Sequence, residues 1–127
     1  MTPGLTLQLI APATVRRGRR IPFKLRVGNA SDTSLDLYLR GREPTFDIVV
    51  TDAEGARVWR RLEGAVIPAV LRVLPMRAGE VLVLKAGWDQ RGSTGEIVES
   101  GDYLVTAILL TDAADPPSAG QHHIRVQ

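Results

Sequence analysis

Short runs of alternating apolar and polar residues, separated by Gly, Pro, Asp and Ser, cover most of the chain. This period of two is typical of half-buried β-strands, and no stretch of the sequence shows a sustained helical period. The runs lie at residues 5–9, 21–27, 35–39, 46–50, 56–61, 82–88, 103–110 and 122–126. We therefore predict an all-β, immunoglobulin-like antiparallel β-sandwich of eight or nine strands.

Four segments carry more specific predictions. The sequence Asp-Ala-Glu-Gly at 52–55 is typical of a short hairpin loop closed by a left-handed glycine. Both faces of the run at 103–110 are apolar, which predicts a central strand, whereas 122–126 is predicted to form an open edge strand. The apolar segment 62–78 contains two prolines and is compatible with a loop, a crossing strand or a helical turn.

Composition narrows the class of protein. The chain has 127 residues, 44% hydrophobic and 24% charged, so we expect one globular domain over residues 1–127. The absence of cysteine excludes disulfides and thiolate chemistry. No secretion signal or membrane-spanning apolar run is visible, so we expect a cytoplasmic protein without membrane contact.

Residues 1–61 hold eleven basic and six acidic side chains, net +5, and residues 62–127 hold five basic and eight acidic side chains, net −3. Two faces of opposite charge are compatible with this asymmetry.

The residues required for catalysis or metal binding are not found in a suitable pattern. The two histidines, His122 and His123, are neighbours in a predicted strand, so their side chains point to opposite faces and cannot act on one substrate. No Gly-x-Ser-x-Gly motif occurs, and no third metal ligand accompanies the histidines. We expect no enzyme activity, no catalytic residue, no metal and no cofactor.

Arg16, Arg17, Arg19 and Arg20 form the densest cluster of charge, around Gly18. Arginine side chains on such a turn suit phosphates or an acidic protein surface. No aromatic residue that could stack on a base is interleaved with them, so the sequence favours a solvated basic turn over a nucleic-acid site. We expect no nucleic-acid partner.

The aromatic residues divide into a core set and one exception. Phe23, Phe46 and Trp88 share strand faces with aliphatic residues and are predicted to lie in the core. Tyr103 begins the predicted central strand, where a tyrosine ties a loop to the backbone in immunoglobulin-like folds. Trp59 shares its strand face with two arginines, which predicts stacking between guanidiniums or partial exposure.

An ordered set of short motifs runs through residues 25–109. It comprises Val27-x-Asn29-x-Ser31, Phe46-Asp47, Asp52-x-x-Gly55-x-x-Val58-Trp59-Arg60, Gly79-Glu80, Trp88-Asp89-Gln90 and Gly101-x-Tyr103. In these motifs the chain resembles the intracellular proteinase inhibitor (BsuPI-type) domain family. The resemblance implies an immunoglobulin-like sandwich and a non-enzymatic protein that inhibits an intracellular serine (subtilisin-like) protease. It also implies an architectural role for Trp59, Trp88, Asp89 and Tyr103.

A substrate-like inhibitor needs an exposed, extended loop with apolar side chains. Val66, Ile67, Pro68, Ala69 and Val70 are the first candidate, since proline at 68 restricts Ile67 to extended geometry. The interpretation that we favour is that this run is buried and covers one end of the sandwich. The polar loop 89–95 is a second candidate for protease contact.

The alternative function is a general protein-interaction or assembly module without inhibitory activity. It would use the basic turn at 16–20, or strand addition at the predicted open edge 122–126. In either case we expect a protein partner, and a monomer or weak dimer.

Overall fold

The computed structural model describes residues 4–41 and 46–127, in which ten strands are formed. They are β1 (Leu5–Ile10), β2 (Thr14–Val15), β3 (Ile21–Asn29), β4 (Leu35–Arg40), β5 (Phe46–Thr51), β6 (Arg57–Arg60), β7 (Leu71–Met76), β8 (Val81–Trp88), β9 (Gly101–Leu109) and β10 (Ser118–Val126). No helix that could cross a membrane occurs in these two ranges. The prediction that no secretion signal is present depends partly on residues 1–3, which lie outside these ranges.

Two sheets and a two-stranded ribbon enclose the core. One sheet has the order β1-β3-β8, the other has the order β2-β10-β9-β5-β6, and β4 pairs with β7. Every pairing is antiparallel except that of β2 with β10. The fold is thus the predicted all-β, immunoglobulin-like sandwich, and β9 is central in its sheet as expected. The predicted number of eight or nine strands is too low, because β2 and β7 add to the eight runs identified by alternation.

The predicted open edge at 122–126 is wrong in part. The short strand β2 runs parallel to the end of β10 and pairs Thr14 with Arg125 and Val15 with Val126. A two-residue strand has too little alternation to be recognised from sequence, so this cover was not predicted. A strand of a partner protein could pair with that end of β10 only if β2 were displaced.

Strand β7 resolves the ambiguous segment 62–78. Its residues pair with β4 from Leu71 opposite Arg40 to Met76 opposite Leu35. Pro75 is accommodated because β7 has a neighbouring strand on one side only, so the missing N–H interrupts no second ladder. Residues 62–70 remain as the loop that leads from β6 into β7.

The core contains the predicted aromatic residues, and Trp59 packs against it while staying partly exposed, which is one of its two predicted environments. Phe23, Phe46 and Trp88 are buried, as predicted. The other alternative, stacking between guanidiniums, is wrong: the Trp59 ring stacks on Trp88 at 5.5 Å and on Phe23 at 6.4 Å between centroids. A register shift between β5 and β6 places Trp59 opposite Val50, a buried residue, and this turns the indole toward the core.

Candidate functional site

The loop 62–70 is anchored where it leaves β6 by the buried carboxylate of Asp47. Its Oδ2 accepts a hydrogen bond from Arg60 Nε at 2.8 Å and lies 2.7 Å from the Nη2 of the same guanidinium. Its Oδ1 accepts a bond from the backbone N–H of Leu62 at 3.1 Å. Because only 3% of the Asp47 side chain is exposed, water competes weakly for these charge-assisted bonds. This carboxylate therefore holds the first residue of the loop in place.

Beyond this anchor the chain turns and becomes exposed. The N–H of Ala65 donates to the carbonyl of Leu62 at 3.0 Å, and Gly64 has the positive φ of 71° that such a turn requires. At the other base the N–H of Gly41 donates to the carbonyl of Val70 at 2.9 Å. Both ends of the loop are thus fixed by hydrogen bonds.

The tip of the loop is open to solvent. Val66 is 92% exposed and Val70 45%, Pro68 and Ala69 are exposed, and Ile67 is half-buried. No backbone hydrogen bond joins residues 66–69 to another described residue. The interpretation that this run is buried at one end of the sandwich is therefore wrong. In β7, Met76 lies in the core and Leu74 packs against it, whereas residues 62–70 belong to no strand of the described ranges.

Apolar exposure continues from the loop onto the outer face of the β4–β7 ribbon. Leu71 is 59% exposed and Val73 49%, and Val73 is paired across the ribbon with Tyr38, which is 47% exposed. We call Val66, Val70, Leu71, Val73 and Tyr38 the apolar surface. Contiguous exposed apolar side chains mark protein-interaction sites more often than scattered ones do.

The ribbon part of the apolar surface was not predicted from the sequence. The signal was present, because in Leu71–Met76 both alternating faces are largely apolar and in Leu35–Arg40 Tyr38 stands on the polar face. A groove of about 710 Å³ lies beside the loop, between residues 67–71 and 110–116, and Arg40 and Arg60 also line it. The loop thus has an apolar flank and a groove next to it.

The basic turn 16–20 is exposed but well anchored. Buried Gln90 accepts a hydrogen bond from the N–H of Gly18 at 3.1 Å and donates to the carbonyls of Arg16 and Arg19 at 2.8 and 2.7 Å. The guanidinium of Arg17 donates to the carbonyl of Val98 at 2.8 Å. That of Arg20 lies over Gly87, on a different element. The guanidiniums of Arg17 and Arg20 therefore lie against different parts of the chain.

The two histidines make separate contacts. Nε2 of His122 lies 3.1 Å from the carbonyl oxygen of Pro12, and Nε2 of His123 lies 2.9 Å from Oδ1 of Asp102. Arg125 donates to the other oxygen of Asp102 at 2.8 Å; this bond and, after it, that of His123 hold the pKa of the Asp102 carboxyl below its usual value of 3.8. Within the described ranges no three His, Asp or Glu side chains are grouped to hold a metal ion.

Comparison of the sequence with models of protein families finds one match. The model of the intracellular proteinase inhibitor family, BsuPI, matches residues 9–114. The chain belongs to this family. The match extends the motif resemblance, which was recognised over residues 25–109, in both directions. No curated protein is significantly similar to the chain in sequence.

In this BsuPI-family chain the residues that carry the resemblance lie in the core or in its turns. Trp88 packs edge-on against Tyr103 at 6.2 Å, and its indole N–H donates to the carbonyl of Arg91 at 2.9 Å. The Asp89 carboxylate accepts the N–H of Arg91 at 3.0 Å. Tyr103 makes the predicted bond, donating its hydroxyl proton to the carbonyl of Glu99 at 2.6 Å. The 89–95 loop, the second candidate site, is therefore partly occupied by internal bonds.

Solved structures support the fold of this BsuPI-family chain. The CARDB domain of a Pyrococcus furiosus protein, solved in complex with di-metal ions, matches 97% of this chain and 87% of its own, with a TM-score of 0.51 and 14% identity. A β-glucosidase from Erythrobacter marinus matches 97% of this chain over 16% of its own, with a TM-score of 0.53 and 16% identity. At such identities the likeness shows the sandwich fold alone.

Proposed function

We propose that this chain is a non-enzymatic, cytoplasmic protein that binds and inhibits an intracellular serine protease of the subtilisin-like class. Its family is that of intracellular proteinase inhibitors. The observation that carries the proposal is the loop 62–70, which presents Val66 at 92% exposure between two hydrogen-bonded bases. Because both bases are held, the entropy cost of ordering this loop in a protease cleft is reduced.

The chemistry of the loop suits a cleft that binds extended peptides. Backbone N–H and C=O groups at 66–69 have no partner among the described residues, so they are available for strand-like pairing with a protease. Val66 and Ile67 would fill apolar subsites, and Pro68, which lacks an N–H, removes one hydrogen bond that a cleaved substrate could use. The Asp47–Arg60 pair at the base would keep the loop in place while it is bound.

The test compares two exposed valines. Val66→Ser removes apolar contact at the loop tip, whereas Val81→Ser makes the same change on the three-stranded sheet, where Val81 is 48% exposed. Burying one valine is worth about 1.5 kcal/mol, so we expect Val66→Ser to raise the inhibition constant about tenfold. Val81→Ser should leave it unchanged. The measurement is peptide hydrolysis by purified intracellular subtilisin-like proteases in the presence of each variant.

Two results would count against the proposal. One is unaltered hydrolysis at micromolar wild-type protein across several such proteases. The other is an equal loss of inhibition in the two variants, which would move the contact away from the loop.

A second function, a protein-interaction module without inhibitory activity, is favoured by one observation. Leu71, Val73 and Tyr38 of the apolar surface lie on a strand ribbon, outside any loop that a protease cleft could enclose. If protease panels are negative, replacement of Tyr38 and Val73 by serine should abolish the binding of a partner isolated with the wild type, while Val81→Ser should not. Retained binding in the ribbon variant would exclude this surface.

A further inference from the structure

The outer face of the three-stranded sheet carries a strip of positive charge. Lys24 and Arg26 alternate outward along β3, and Lys85 points outward from β8. The guanidinium of Arg20 occupies the space over Gly87 that a side chain there would fill. We call Arg20, Lys24, Arg26 and Lys85 the basic strip. It includes one of the four arginines singled out in the sequence and three residues that were not.

The register of the sheet arranges these cations in successive rows. Pro22 is opposite Gly87, Lys24 is opposite Lys85, and Arg26 is opposite Val83. Rows on one face of a sheet are separated by two residues, or about 6.6 Å. The strip therefore spans three rows along the strands, over roughly 13 Å.

Among the residues that the structure describes, no acidic side chain pairs with the basic strip. β1, β3 and β8 contain no Asp or Glu at all. Within residues 4–41 and 46–127, none of the four cations takes part in an ion pair or a side-chain hydrogen bond. The charges of this face are thus left to solvent.

Lys24 and Lys85 are also direct cross-strand neighbours. Like charges at such positions repel and destabilise a sheet, and a bound anion placed between them would remove that repulsion. Apolar side chains stand beside the cations: Ile10 next to Lys24, and Val83 next to Arg26. The face therefore combines unbalanced positive charge with exposed aliphatic surface.

We propose that the basic strip is a second binding surface that takes an extended acidic polypeptide segment. In an extended chain, side chains at alternate positions lie on one side at the same spacing of about 6.6 Å, so carboxylates at positions i, i+2 and i+4 meet the three rows in register. The neighbouring Ile10 and Val83 contact the aliphatic part of such a segment. This proposal is independent of protease inhibition by the loop.

A polypeptide fits this face better than a nucleic acid does. Non-specific binding of single strands relies on aromatic rings that stack on bases, and none of the residues directed outward from β1, β3 and β8 is aromatic. A phosphate backbone would also leave Ile10 and Val83 uncovered. Binding of a nucleic acid is accordingly the competing outcome of the test.

The test measures the binding of a short fluorescent peptide in which glutamate alternates with threonine, at about 50 mM NaCl, where screening is weak. The double variant Lys24→Gln/Lys85→Gln removes two charges from the strip. Its control, Arg16→Gln/Arg77→Gln, removes two exposed charges elsewhere. We expect the strip variant to weaken binding about fivefold to tenfold and the control to change it less than twofold. Circular dichroism and thermal unfolding verify that both variants are folded.

The proposal predicts that binding fades with added salt and that a peptide alternating glutamine with threonine does not bind. Three results would overturn it: no saturable binding of the acidic peptide, an equal loss in both double variants, or tighter binding of a single-stranded oligonucleotide of the same net charge. Because the readout is peptide affinity, a failure here leaves the inhibition test unaffected.

Discussion

The hydroxyl group of Tyr103 ties the residues before β9 to the start of that strand. Its bond to the carbonyl of Glu99, at 2.6 Å, is short, and the ring is buried against Trp88. We expect Tyr103→Phe to lower the free energy of unfolding by about 1 kcal/mol, the net contribution of one such hydrogen bond. Urea denaturation measures it. Tyr38→Phe is the matched control, since that tyrosine is exposed, and it should be neutral within a few tenths of a kcal/mol.

The Tyr103 side chain also makes the stability of the fold depend on pH in the alkaline range. Burial, and after it the negative charge of Asp52 and Glu99, raises the pKa of Tyr103 above its usual 10.0. The folded state therefore binds this proton more tightly than the unfolded state does, so the contribution to stability is complete below pH 10 and is lost as pH rises through the folded pKa. As pH rises from 10 through the folded pKa, the free energy of unfolding of the wild type should fall by more than that of Tyr103→Phe. Parallel pH profiles of the two proteins would contradict the assignment.

At the scale of elements, one buried glutamine positions the turn between β2 and β3. Gln90 satisfies three backbone groups of residues 16–19 and itself has a positive φ of 65°. Gln90→Ala leaves those groups unpaired, and we expect it to cost about 2–3 kcal/mol of unfolding free energy.

Trypsin provides a local readout of this turn, because all four of its arginines are potential cleavage sites. Gln90→Ala should be cut at 16–20 much faster than wild type, whereas Gln8→Ala, at an exposed position of β1, should not. Equal cleavage rates in wild type and Gln90→Ala would show that the turn is held by other contacts.

At the scale of the whole molecule, the basic strip does not follow the charge asymmetry between the two halves of the sequence. The basic strip joins residues from both halves, since Lys85 belongs to the half with net charge −3. Lys85→Glu would place a carboxylate opposite Lys24 in place of a like charge. We expect a gain of about 0.5 kcal/mol in unfolding free energy at low salt.

That gain should shrink in high salt, because both groups are exposed to screening. Lys85→Gln, which removes the repulsion without adding attraction, should give about half of it. Urea denaturation of the three proteins at two salt concentrations measures the series. A loss of stability in Lys85→Glu at low salt would contradict the cross-strand repulsion on which the basic strip is argued.

Most strands followed from local pattern. Alternation in β3 and β8 identifies their buried faces, and the sequence at 52–55 identifies a hairpin in which Gly55 has a φ of 83°. These features depend on residues close in sequence, because the pleat sends neighbouring side chains to opposite faces and a left-handed turn favours glycine. The family motifs were likewise readable, since they consist of turn glycines and core aromatics.

Other features depend on pairing between distant residues. The direction of the Trp59 side chain follows from a register shift against β5, and the cover over β10 comes from β2, more than a hundred residues earlier in the chain. The exposure of Val66 was predicted wrongly for the same reason: burial depends on whether another element lies over a segment.

The sequence alone therefore determined the sandwich, its strand faces and its family, because alternation and turn chemistry are local properties. Only the tertiary structure decided which apolar side chains are exposed to solvent and which cationic side chains lie together in the basic strip. Those properties arise when strands from distant parts of the chain are brought into register, and no short window of sequence contains that information.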